Sequence, residues 1–253
     1  MPLLDERESS PRRIRRSERL QLSAELSLLD MKSRQYVHAP LIETVCELRF
    51  RPEPSLECNW DRIYELFRKG FPEIGPVVLG QWPLRRFTRE DGLEGVFAAA
   101  DRIAYFTMKY PGFEGFKAAG LKHLKAFAAS QQVSGRVRVG LRYVNRIPIA
   151  KTGETLPLDD FLKIKIERPG PLGEPIQVLD LAFVVGASPG RLTTRIASQA
   201  QPDAILLDFD YSEEQEFEVG ALSRFLDRGH KQTKAVFESL LTDGYRKFLE
   251  AEN

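Results

Sequence analysis

Residues 136–149 constrain the fold more than any other stretch of the chain. Val137, Val139, Leu141, Tyr143, Asn145 and Ile147 alternate with the opposite face, which carries Arg136, Arg138, Arg142 and Arg146. Period two sustained this long is a half-buried strand, with one face on a core and one in water, the habit of antiparallel rather than parallel sheets. An apolar face of that extent needs a second layer to cover it, and the rest of the sequence supplies amphipathic helices.

A second alternation runs from Ile42 through Thr44, Cys46, Leu48 and Phe50, with Glu43, Val45, Glu47 and Arg49 between them. Beyond Pro52-Glu53-Pro54, the residues Trp60, Ile63, Tyr64, Phe67 and Phe71 recur at helical spacing, with Asn59 placed to cap the first turn. Strands are expected at 81–90, 93–100 and 103–110, the first two joined by the hairpin dipeptide Asp91-Gly92. Pro111-Gly112 then opens a helix with Phe113, Phe116, Gly120, Leu124 and Phe127 on one face. After the arginine-bearing strand come a short helix at 157–162 and strands near 176–186, 192–199 and 204–211. A long helix follows, its stripe formed by Leu222, Phe225, Leu226, Gly229, Thr233, Val236, Phe237 and Leu240, with a break at Thr242-Asp243-Gly244.

Written as elements, residues 42–131 and 136–250 both read β-α-β-β-β-α. The expectation is therefore an α+β fold in which an antiparallel sheet is covered by amphipathic helices and arises by tandem duplication. Its halves are 36–133 and 134–253, packed as one globule behind a flexible N-terminal extension at 1–35. The uncovered sheet face, or the groove between halves, is where a ligand would bind.

At 253 residues, 42 % hydrophobic and 29 % charged, the chain has the balance of a protein that buries a core. A net charge of +1 gives no overall field to attract a polyanion, so such binding needs a local patch. Arg12, Arg13, Arg15 and Arg16 are diluted by Asp5, Glu6, Glu8 and Glu18, which makes a solvated tail the leading expectation, with a nucleic-acid arm and a true start at Met31 as alternatives. Cys46 and Cys58 have neither metal-ligand nor disulfide-framework spacing, as expected of a reduced, intracellular protein. Gln21, Glu25 and two serines interrupt Leu20 to Leu29, and no segment approaches the ~18 apolar residues of a membrane span, so a cytoplasmic location without membrane partners is expected.

Few residues promise chemistry. At about 3.3 Å per residue, Arg136, Arg138, Arg142 and Arg146 form a row on the order of 33 Å long that suits a phosphate backbone. The competing expectation is a cross-strand charge lattice in which Glu43 and Glu47 oppose the arginines. Asp208 and Asp210 form a D-x-D pair able to converge on a divalent cation, with Glu43 and Glu47 as further oxygen ligands, although no third ligand is fixed by spacing and no cofactor is expected. Of His38, His123 and His230, His123 is expected to be exposed beside Lys122 and Lys125, and His230 is the candidate general acid or base. No G-x-S-x-G elbow is present, and Gly112 with Gly115, like Gly186 with Gly190, makes no phosphate-cradling loop.

Several segments together resemble a family of uncharacterised, sporadically distributed bacterial proteins. They are His38-Ala39-Pro40-Leu41-Ile42-Glu43, Leu141-Arg142-Tyr143-Val144-Asn145-Arg146-Ile147, Leu207-Asp208-Phe209-Asp210, and His230 followed by Val236-Phe237-Glu238 and Thr242-Asp243. The resemblance spans roughly residues 35 to 250 and implies no activity, while its patchy distribution is associated with mobile or phage-defence genes. The functional expectation is a binding protein that contacts nucleic acid or a protein partner. The alternatives are a metal-dependent hydrolase or nuclease using the strand carboxylates, and an immunity-type interaction module.

Overall fold

The computed structural model describes residues 36–77, 83–149, 156–166, 176–200 and 203–251. The tail, with its arginine run and Met31, lies outside them. The fold is α+β. Among the described residues its strands are β1 (Leu41–Arg49), β2 (Glu73–Val77), β3 (Leu84–Thr88), β4 (Glu94–Ala99), β5 (Arg102–Thr107), β6 (Arg136–Pro148), β7 (Asp180–Ala187), β8 (Gly190–Gln199) and β9 (Ala204–Glu216). All nine join one sheet in the order β2-β3-β4-β5-β1-β6-β9-β8-β7, and every neighbouring pair is antiparallel.

The helices among the described residues are α1 (Ser55–Cys58), α2 (Trp60–Phe67), α3 (Phe113–Ser130), α4 (Leu158–Phe161), α5 (Ala221–Leu240) and α6 (Asp243–Glu250). The two long ones share one sheet face: α3 lies on β5 and β1, α5 lies on β6 and β9, and the two touch each other. Register explains why one face suffices. Cys46 of β1 stands opposite Tyr105 of β5 and Leu141 of β6, so the apolar positions of three strands fall on the same side. Both helices come close at a glycine. A Cβ on Gly120 would sit 2.6 Å from Cys46 Sγ, and one on Gly229 would sit 2.9 Å from the Tyr211 ring and 3.0 Å from Leu141.

The halves meet at the β1–β6 pair, and the sheet grows outward from that seam on both sides. Among the described residues the two element orders differ, because β2, absent from the sequence expectation, gives the first half one strand more. Its Gly75-Pro76 disfavours a strand in the sequence, but β2 is an edge strand, where proline's missing N–H costs the ladder least. A tandem duplication is thus not shown by the fold. Two local expectations also need correction. Asn59 occupies the N-cap of α2 without making a side-chain capping bond. The break in the C-terminal helix falls at Leu241-Thr242, and Thr242 Oγ1 accepts from Tyr245 N at 3.2 Å to start α6.

Candidate functional site

The outer face of the sheet, away from the long helices, carries the arginine row. Gly140 leaves room for the Arg138 guanidinium to lie along the strand, where it donates to Asp210 Oδ2 at 2.8 Å and to Glu47 Oε1 at 3.3 Å. Arg142 grips Asp208 with two bonds of 2.8 and 2.7 Å, and Arg136 reaches Glu214 at 3.2 Å. Arg146 donates to Gln199 at 3.3 Å, and Arg195 holds Asp180 in the same bidentate way at 2.8 and 2.6 Å. Guanidinium and carboxylate alternate across β1, β6, β9, β8 and β7, a cross-strand lattice whose charges largely cancel at short range.

Three of the four candidate metal-ligating carboxylates, Glu47, Asp208 and Asp210, are acceptors of that lattice. Asp208 and Asp210 share a face of β9 but turn to different arginines, and Glu47 faces Arg138. Glu43 stands opposite Val144 and contributes to the field around Arg142. Among the described residues, no three histidine, cysteine or carboxylate side chains gather as a metal-ligand group.

The histidines are placed differently from the expectation. His123 is not a solvated helix residue: its ring packs between Phe71, Tyr105 and Phe67 at centroid distances of 5.1, 5.4 and 6.1 Å. Burial, reinforced by Lys122 and Arg89 against Glu94, pulls it down to about 4. Helical spacing had put His123 with the lysines, but its side chain turns toward the aromatic end of α2. His38 stacks on Phe248 at 5.4 Å, at the start of the segment leading into β1.

His230 lies in a cavity of about 570 Å³ on the helix side of the sheet. Its ring stacks flat on Phe113, centroids 3.9 Å apart and planes 7° off parallel, and a hydrogen bond of 3.0 Å joins Nδ1 to the Tyr143 hydroxyl. Burial, then Lys234, lowers its pKa to about 4 against the weaker pull of Asp227. Tyr143 is driven well above its ordinary value by burial and by the neighbouring Tyr110 hydroxyl, and burial lifts Tyr110 to about 12. Near neutral pH the three are an uncharged imidazole and two phenols, a set of hydrogen-bonding groups without a poised base.

Five separate segments build this cavity. The strand-leading stretch Tyr36–Leu41, the Tyr110–Phe113 turn before α3, Tyr143 and Asn145 of β6, Phe209 of β9 and one stripe of α5 all contribute. The α5 stripe is His230, Thr233, Lys234, Phe237 and Glu238, at the i, i+3, i+4, i+7, i+8 positions of a single helical face. Tyr36 donates to Glu238 Oε2 at 2.6 Å and meets Phe237 edge-on at 6.3 Å, so the chain entering β1 is strapped over α5. Asn145 Nδ2 reaches Leu207 O at 3.4 Å, leaving a polar side chain on an otherwise apolar strand face.

Sequence reasoning selected His230 and missed the rest. Phe113 and Phe237 fall on the apolar stripes of their helices, and helical spacing does not distinguish a core stripe from a cavity wall. The one available signal was polar: Asn145 interrupts the apolar face of β6. Neither a protein-family model nor a curated protein matches the chain, so the geometry alone speaks for this site.

Proposed function

We propose that the protein is a non-catalytic binding protein that takes a ligand with a planar aromatic part into the cavity between the sheet and α5. The observation that carries this reading is the cavity itself: about 570 Å³, walled by Tyr36, Tyr110, Phe113, Tyr143, Phe209 and Phe237, with a few converging polar groups. That size and composition match the usual small-molecule site. The neutral His230 supports binding over proton transfer, since an imidazole held near 4 is a weak base at neutral pH.

The test is to plug the mouth. Ala39 is exposed and lines the cavity, so Ala39→Trp should leave the fold and thermal midpoint nearly unchanged while filling the entrance. Ligand-observed NMR with a panel of aromatic and heteroaromatic fragments should detect binders to the native chain that weaken at least about tenfold in the variant. Fragments that bind both proteins equally, or none, would sink the reading.

We also propose a cytoplasmic protein whose outer sheet face does not meet a nucleic-acid backbone, since the arginines there are already paired. A phosphate on Arg138 or Arg142 would have to displace Asp210, Glu47 or Asp208 from bonds already made. Fluorescence anisotropy with single- and double-stranded probes at about 50 mM salt is expected to give no saturable binding. Tight binding that Arg138→Ala and Arg142→Ala abolish would instead restore the arginine row as a phosphate contact.

A further inference from the structure

The two ends of the sheet are finished differently. At one end β2 carries Pro76, which has no N–H to offer a further strand. At the other end β7 pairs with β8 alone among the described residues. Proline, lysine and arginine are the usual guards of a sheet edge, and the eight residues of β7 contain none of them. The one charge on the strand, Asp180, is already held by Arg195 at 2.8 and 2.6 Å. Apolar side chains meet water on both faces: Val184 is 62 % exposed on the outer face and Val185 is 46 % exposed on the helix side.

The direction of the free backbone groups follows from one bond. Ser198 N donates to Leu179 O at 2.8 Å, so the main chain of Leu179 faces β8. Period two then turns Leu181, Phe183, Val185 and Ala187 toward β8 as well, and leaves the N–H and C=O groups of Asp180, Ala182, Val184 and Gly186 pointing off the edge.

We propose that this edge is a self-association surface: two copies of the chain pair β7 with β7, antiparallel, about a two-fold axis through Phe183, joining their sheets into one. A second β7 laid on the edge must keep helix side with helix side, and this register does so. It sets Asp180 opposite Gly186 of the second copy and Ala182 opposite Val184 of the second copy, so all four outward residues of each strand exchange hydrogen bonds. On the helix side Leu181 meets Val185 of the second copy and the two Phe183 rings meet at the axis, which covers the valines that a lone chain leaves in water. The two Asp180 carboxylates end about 20 Å apart, well beyond the ~8 Å screening length, so like charge does not oppose the pairing. The cavity takes no part in it.

The contact is a single strand pair, at the small end of specific interfaces, so a dissociation constant of about 1–100 µM is expected. Sedimentation velocity on the full chain from about 1 to 300 µM should therefore pass from one chain mass to two. Val184→Pro removes an outward N–H and no bond of the β7–β8 ladder, so it should keep the thermal midpoint and weaken association at least about tenfold. Charge tests the register: Ala182→Glu and Val184→Lys should each weaken the dimer, and the double variant, whose new charges face each other across the axis, should regain it. Hydrogen exchange should show the amides of Ala182, Val184 and Gly186 gaining protection with concentration, while those of Phe183 and Val185 are protected throughout. A chain that stays monomeric to about 300 µM overturns the proposal, whether its outward amides exchange freely or are protected by another segment of the same chain. A dimer that Val184→Pro leaves intact overturns it too, because the interface then lies elsewhere. If Val184→Pro disturbs the fold, the charge variants decide, and a double variant no tighter than the single ones overturns the pairing.

Discussion

His123 and His230 are both held neutral by burial at about 4, from an ordinary value near 6.5. The unfolded chain therefore takes up a proton at each as the pH falls through 6.5, while the folded chain waits until about 4. In that window the unfolded state binds more protons, so stability falls as the solution is acidified and is recovered above about 6.5. Discounted for partial exposure, the loss is about 1 kcal/mol per histidine between pH 7 and 5. Denaturant melts at a series of pH values check this, and a His123→Phe, His230→Gln double variant should flatten the profile above pH 5. A profile equally steep in the variant would place the titrating groups elsewhere. At this scale the sequence was a poor guide. The outward or inward aim of His123 depends on which way its side chain leans over α3, and its helical neighbours Lys122 and Lys125 carry no information about that. Arg138 and Asp210 were each visible as charged strand residues, but their pairing across Gly140 depends on the β6–β9 register, which no single strand encodes.

Elements were far more legible than residues. The alternations at 42–50 and 136–149 and the helical stripes at 113–127 and 222–240 all became the expected strands and helices, because burial of one face imposes period two or 3.6 whatever the neighbours are. What escaped was β2, whose pattern is broken by Gly75-Pro76, and the cavity, whose walls come from elements distant in sequence. Gly120 and Gly229 lay on the correct helical stripes, and the reason for glycine there emerges only from the packing. Gly120→Ala places a methyl 2.6 Å from Cys46 Sγ, a buried and inflexible neighbour, so α3 must lift from β1. Overpacking of this kind costs about 1–3 kcal/mol, against a gain in helix propensity of about 1 kcal/mol, so a net destabilisation of up to about 2 kcal/mol is expected. For a chain of this size a loss of about 2 kcal/mol lowers the thermal midpoint by about 4–8 °C. Cys46→Ala removes the offending sulfur, so the double variant should lose less than the sum of the two single losses. Strict additivity would show that the helix does not rest on that cysteine.

For the molecule as a whole, the decisive pairing is β1 with β6. Thr44 faces Thr107 on one side and Tyr143 on the other, and the ladder continues across the boundary between halves without a gap. The apolar core is equally continuous, running from Phe71 and Phe87 in the first half to Phe225 and Leu249 in the second. A chain cut between residues 133 and 134 therefore leaves each fragment with a long central strand turned into an open edge, β1 in one and β6 in the other. Bare central strands invite aggregation, and the second fragment would also lose the first-half side of the cavity, Tyr110 against Tyr143 of β6 and Phe113 against His230 of α5. Fragments 36–133 and 134–253 expressed separately should be insoluble or lack a cooperative melt, whereas co-expression should recover a one-to-one complex with the circular dichroism of the intact chain. Because the cavity draws on both fragments, only the complex should bind whatever aromatic ligand the intact chain binds. If either fragment folds alone as a cooperative monomer, the halves are independent domains and the β1–β6 seam is an interface rather than the middle of one sheet.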